Sequence, residues 1–190
     1  MHLVSYVFIA LAFGISDMLL FHRCAKVAPI RLSRGLVVAF SVAAIQTALF
    51  IAGMFLGNLL RFELPVDADA FAKTNSFVFI GLTIFVMLRI LVPNLKRNPK
   101  PPLFNMKSNK ACAAMAVASG INLFFVGIGA GFVASHSDDY HIAIWPMLII
   151  MFLASYWGLM LGRRLIAIRG KVWVIVSSLL LFAVVLIALL

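Results

Sequence analysis

Asn94-Leu95-Lys96-Arg97-Asn98-Pro99-Lys100-Pro101-Pro102-Leu103-Phe104-Asn105-Met106-Lys107-Ser108-Asn109-Lys110 is the natural divide of this chain. Three prolines and five lysines or arginines make it an irregular, basic linker. The sequence on both sides is apolar. Of 190 residues, 64% are hydrophobic and only 12% are charged. A soluble domain cannot hide that much apolar surface, so the composition is that of an integral membrane protein. A spanning helix needs about 20 mostly apolar residues. Six segments qualify, at 4–22, 36–60, 76–93, 111–134, 143–162 and 172–190. Backbone groups in lipid must bond internally, and long apolar runs favour helices over alternating barrel strands. The linker therefore separates three spans (1–93) from three (111–190). An odd number per half forces the halves into opposite orientations, the layout of an inverted-repeat transporter. The expected fold is all-α, with six transmembrane helices in two inverted three-helix repeats.

The net charge of +10 would suggest nucleic acid in a soluble protein. Here basic loops explain it, and no nucleic-acid partner is expected. Thirteen of the sixteen lysines and arginines fall in the first, third and fifth loops: Arg23, Lys26, Arg31 and Arg34; the linker's five; and Arg163, Arg164, Arg169 and Lys171. The second loop holds Arg61 and Lys73 beside Glu63, Asp67 and Asp69, and the fourth holds Asp138 and Asp139. By the positive-inside rule the odd loops are cytoplasmic and both termini lie outside. Met1-His2-Leu3 has no basic region before it and reads as the start of a first span rather than a cleaved signal. Tyr140, Trp145 and Trp173 suit interfacial anchors against membrane lipid. Cys24 and Cys112 have neither metal-site nor disulfide-framework spacing and are expected to stay reduced.

Within the spans one residue stands out. In Phe13-Gly14-Ile15-Ser16-Asp17-Met18, Asp17 is the sole acid of the six that falls inside an apolar segment. A carboxylate there is expensive unless it faces a polar cavity or a partner. It reads as a cation ligand or proton carrier, against the alternative of an acid near the end of its span that reaches water or pairs with Arg89, Arg23 or Lys26. Ser119-Gly120-Ile121-Asn122 in the fourth span has the same look, with an amide in place of the acid. An offset of 105 residues carries Asp17 onto Asn122, Gly53 onto Gly158 and Gly57 onto Gly162. Gly53/Gly57 and Gly158/Gly162 are small-xxx-small packing faces. Gln46 and Thr47, midway along the second span, either line the same cavity or bond across a helix interface. Ser16 and Ser119 are expected to bond their own backbone carbonyls. Gly120, Gly127, Gly129 and Gly131 point to close packing or to a local unwinding beside Asn122. Pro146 reads as a tolerated kink, Arg89 as a snorkelling cation, and all four histidines as surface residues. No nucleotide loop and no nucleophile-and-base arrangement occurs, so no enzyme activity and no cofactor are expected.

These residues resemble the manganese efflux pump (MntP) family along nearly the whole chain. Gly14-Ile15-Ser16-Asp17 resembles its first-span motif, and Ser119-Gly120-Ile121-Asn122 running to Gly127 resembles its fourth-span Ser-Leu-Asp motif. Leu88-Arg89-Ile90 resembles its third-span arginine, and Gly158 to Arg163 followed by Gly170-Lys171 its glycine-rich fifth span and basic turn. The resemblance implies a cation exporter of the bacterial cytoplasmic membrane, working by alternating access, with Mn²⁺ as substrate and Asp17, Asn122 and Gln46 as its ligands. Two of the family's acids are amides here, Asn122 in the fourth span and Gln46 in the second. Transport of another ion or a small organic solute, or a membrane role without transport, is therefore the alternative.

Overall fold

The computed structural model describes residues 3–27, 30–62, 68–95, 104–134, 138–166 and 168–189. They form six α-helices: α1 (Leu3–Val27), α2 (Leu32–Phe62), α3 (Ala68–Leu95), α4 (Asn109–Val133), α5 (Asp138–Arg163) and α6 (Gly170–Leu189). Each is long and apolar enough to cross a membrane, and no strand occurs among the described residues. The chain thus has the six long apolar helices that a multi-pass membrane protein requires. His2, Glu63, Asp67, the prolines at 99, 101 and 102, and His136 lie outside the described residues.

The helices overrun the apolar segments that predict them. At 1.5 Å per residue, the 31 residues of α2 reach about 46 Å, well past a hydrocarbon core of about 30 Å. The excess is polar and basic, and suits the headgroup region. The described end of the linker, residues 104–110, is ordered against the bundle. Met106 is fully buried, and Arg34 donates to the carbonyls of Met106 and Lys107 and to Asn109 Oδ1. The Ser108 side chain caps α4 by accepting from Ala111 N–H, which satisfies one of the orphan donors of the first turn. The last stretch before α4 is therefore packed against the bundle.

The most extensive packing is α2 on α4 and α1 on α5, followed by α1 on α6, α3 on α4, α2 on α5 and α3 on α6. Exchanging the first three helices for the last three leaves this set of pairings unchanged. The two main crossings depend on glycine. A Cβ at Gly53 or Gly57 would strike the carbonyls of Phe124 and Ile128, and one at Gly158 or Gly162 those of Met18 and His22. Backbones this close require small residues at the contact. The fourth-span glycines act in packing. Gly120, Gly127 and Gly131 lie against α2 and Gly129 against Phe79 of α3, while α4 runs unbroken from Asn109 to Val133. The unwinding beside Asn122 does not occur. α5 likewise continues through Pro146.

These contacts also correct the register of the internal comparison. If Gly53 and Gly57 match Gly158 and Gly162, their targets Phe124 and Ile128 match Met18 and His22, which are 106 residues apart. Gly14 against Ala154 and Gly120 against Leu49 give the same offset. On that matching the offset is 105 residues for α2 and α5 and 106 for α1 and α4, so that Asn122 would correspond to Ser16, and Asp17 to Leu123.

Candidate functional site

Asp17 stands near the middle of α1 and is 3% exposed. Its partner comes from α2. The Gln46 side chain is fully buried and donates from Nε2 to Asp17 Oδ1 at 3.0 Å and to Ser119 Oγ of α4. Ser119 in turn donates to the Met115 carbonyl at 2.9 Å. One polar chain thus joins α1, α2 and α4 in the interior. Gly120 adjoins it: a Cβ there would meet Gln46 Cγ at 3.4 Å and Leu49 Cδ1 at 2.5 Å, so that the Leu49 side chain would have to shift.

The bonding pattern fixes which valences remain open. An amide nitrogen carries two hydrogens, and Gln46 spends one on Asp17 and one on Ser119. The reverse amide orientation would set Oε1 against a carboxylate oxygen, so the network itself assigns the nitrogen. Asp17 Oδ2 and Gln46 Oε1 are buried and have no hydrogen-bond partner. Buried polar groups are seldom left so. Asn122 Oδ1, three residues beyond Ser119 on α4, and Thr47 Oγ1, next to Gln46 on α2, are also buried and unbonded, without a hydrogen bond that joins them to the pair.

Several expectations change here. Asp17 does not pair with Arg89, Arg23 or Lys26: its polar partner is Gln46, and Arg89 is exposed on α3. Ser119 does bond its own helix, as a membrane serine should, but it also receives Gln46. The same holds for Ser16, which bonds Ala12 O at 3.4 Å and approaches Ser177 Oγ of α6 at 3.5 Å. Ser177 itself donates to Ala12 O at 2.7 Å. His22 is not a surface residue: it is 6% exposed, and its Nε2 donates to the Ile166 carbonyl at 2.7 Å. Tyr140, expected at the interface, has its hydroxyl buried without a hydrogen bond, as does Tyr6. Trp145 and Trp173 are exposed as anchors should be.

Both ends of the site are closed by apolar packing. On one side lie Tyr6, Ile9, Phe50 and Phe79, all essentially inaccessible. On the other, Phe21, Cys24, Met106, Cys112, Met115 and Leu159 form a second cluster. The two cysteines are buried and free. Among the described residues no group of three His, Cys, Asp or Glu side chains is placed to hold a metal ion. The chemistry at Asp17 is one carboxylate with neutral amide and hydroxyl oxygens. The chain matches no family model, no curated protein and no solved structure.

Proposed function

We propose that this chain is a transporter of the bacterial cytoplasmic membrane that moves a cation by alternating access of two inverted three-helix halves. The observation that carries the reading is the set of open valences around Asp17. Every unbonded polar atom in the Asp17–Gln46 pair is an oxygen acceptor, so the site suits a positive charge and repels an anion. A buried carboxylate without a cationic partner is the usual mark of an ion pathway in a membrane bundle.

Two further points support it. The helix pairings keep their pattern when the halves are exchanged, as an inverted repeat requires. The site lies between the halves, on α1, α2 and α4, closed from both ends, as an occluded intermediate of alternating access requires. By the positive-inside rule, the basic odd loops support an orientation with both termini outside. The resemblance to manganese efflux pumps implies Mn²⁺ as cargo and export as direction, with Gln46 and Asn122 as neutral ligands beside Asp17.

The test is ion flux in proteoliposomes. Asp17→Asn removes the charge but keeps an oxygen that accepts from Gln46, so the protein stays folded and flux is lost. Wild-type flux from a folded Asp17→Asn protein would sink the proposal. One observation favours a second reading, in which the polar chain only fastens three helices: Asp17 and Gln46 are almost wholly enclosed. On that reading the purified wild-type protein moves no ion at all. Rescue of manganese-stressed cells that lack their own exporter tests the cargo separately.

A further inference from the structure

We infer that the Asp17 site takes a single monovalent alkali cation of the sodium class rather than a divalent metal. The inference rests on the reading of Asp17 as a cation site and names its substrate class.

The first argument is charge. Asp17 is the one acid in the interior of an apolar segment, the buried Asp139 standing at the first residue of the fifth span, and its hydrogen-bond partner is the neutral Gln46, which in turn bonds the neutral Ser119. One cation of charge +1 leaves the enclosed site neutral. A dication leaves a net positive charge where Asp17 and Gln46 are at most 3% exposed, and an uncompensated buried charge is strongly unfavourable. The second argument is ligand type. The open atoms are Asp17 Oδ2, Gln46 Oε1 and, a turn further along α4, Asn122 Oδ1. They are hard oxygen donors, which suit Na⁺ and also Mg²⁺, Ca²⁺ or Mn²⁺, and lack the imidazole or thiolate that selects zinc and copper, so among hard cations the charge decides. Cys24 and Cys112 belong to the apolar cluster at one end, where Cys24 Sγ accepts from Phe104 N–H and Cys112 Sγ faces Met106 O. The third argument is number. A proton on Asp17 would satisfy one oxygen and leave Gln46 Oε1 open, whereas a metal cation can bond more than one oxygen of the contacting Asp17–Gln46 pair.

Gln46 sets this preference. As a glutamate it would add the second negative charge that a dication needs. It would also lose both N–H donors, so the empty site would hold two apposed acids.

The experiment measures thermal unfolding of the full-length protein in lipid nanodiscs, at constant ionic strength held with choline chloride. A ligand that binds only the folded state raises the midpoint saturably. The expected results are a saturable shift with NaCl in the wild type, none in Asp17→Asn, and no shift with MnCl₂ at micromolar concentrations. Gln46→Glu is expected to melt lower without metal and to gain a shift with MnCl₂, while its half-saturating Na⁺ rises by more than about tenfold, or 1.4 kcal/mol. A shift in the wild type with MnCl₂ but not NaCl, lost in Asp17→Asn, overturns the monovalent assignment and leaves the cation site standing. Absence of a shift with either salt overturns both.

Discussion

At the residue scale, the pair Asp17–Gln46 decides most of what the interior can do. A hydrogen bond to an ionised group contributes about 1.5–3 kcal/mol, whereas neutral bonds between membrane helices average about 0.6 kcal/mol. Gln46→Leu is therefore expected to destabilise the protein by about 2 kcal/mol, and Ser119→Ala by less than about 1 kcal/mol. The loss from Gln46→Leu should shrink in an Asp17→Asn background. A double-mutant cycle in nanodiscs checks this, and equal losses in both backgrounds would mean that the bond to Asp17 contributes nothing. A second residue-scale prediction concerns Leu165. It follows α5 with φ of +54°, closing a turn in which Ile166 N–H bonds Leu161 O and Leu165 N–H bonds Gly162 O. Glycine is the usual residue there, because a side chain in the left-handed region costs roughly 1–2 kcal/mol. Leu165→Gly should stabilise the fold by about 1 kcal/mol. It should keep the Ile166 carbonyl on His22, seen as an unchanged His22 ring signal in NMR.

At the element scale, α2 on α4 and α1 on α5 are the joints of the molecule. Glycines set both because carbonyls of the facing helix occupy the space of a side chain. Gly57→Ala and Gly158→Ala are each expected to destabilise by about 1–3 kcal/mol, the usual penalty for overpacking. Gly81 on α3 is the internal control, since a Cβ there would meet nothing within 4 Å. Gly81→Ala should be neutral or stabilising by up to about 1 kcal/mol, as for any exposed helical glycine. Chemical unfolding of the three variants in one lipid composition compares them. A penalty at Gly81 equal to that at Gly57 would remove the close-packing account. The distinction matters for the site, since the same close approach lets Gln46 reach both Asp17 and Ser119.

At the scale of the whole molecule, the proposed alternating access would make a demand on the second apolar cluster. Cys24 and Cys112 are 1% and 8% exposed there, at the end of the bundle that carries the first and third loops. For an ion to pass that way, Phe21, Met106 and Leu159 must part. The two thiols should then react with a small membrane-permeant reagent at a rate that varies with the concentration of the transported cation. A slow rate independent of every cation would mark a permanent plug. The orientation is open to a simpler check. Single cysteines placed in the second loop, in a background lacking Cys24 and Cys112, should label from outside intact cells. Labelling only after permeabilisation would reverse the proposed topology.

The six helices were legible in the sequence because lipid makes the requirement local. A backbone in hydrocarbon must satisfy its own hydrogen bonds, so an apolar run of sufficient length becomes a helix whatever its neighbours do. The same locality singled out Asp17, whose cost depends only on being inside a span, and the glycine pairs of α2 and α5. Which faces meet was not legible. Lipid-facing and core-facing residues are both apolar, so the helices carry little amphipathic signal to fix their rotation. Each residue turns a helix by about 100°. If the halves are repeats, a single-residue slip between α1 and α4 moves Asn122 away from the position equivalent to Asp17; in the packed structure it is Ser119 that Gln46 joins to Asp17. The choice of Gln46 over Arg89 as the partner of Asp17, the burial of His22 and the closing of both ends likewise depend on side chains meeting across helices. Only the packed structure decided them.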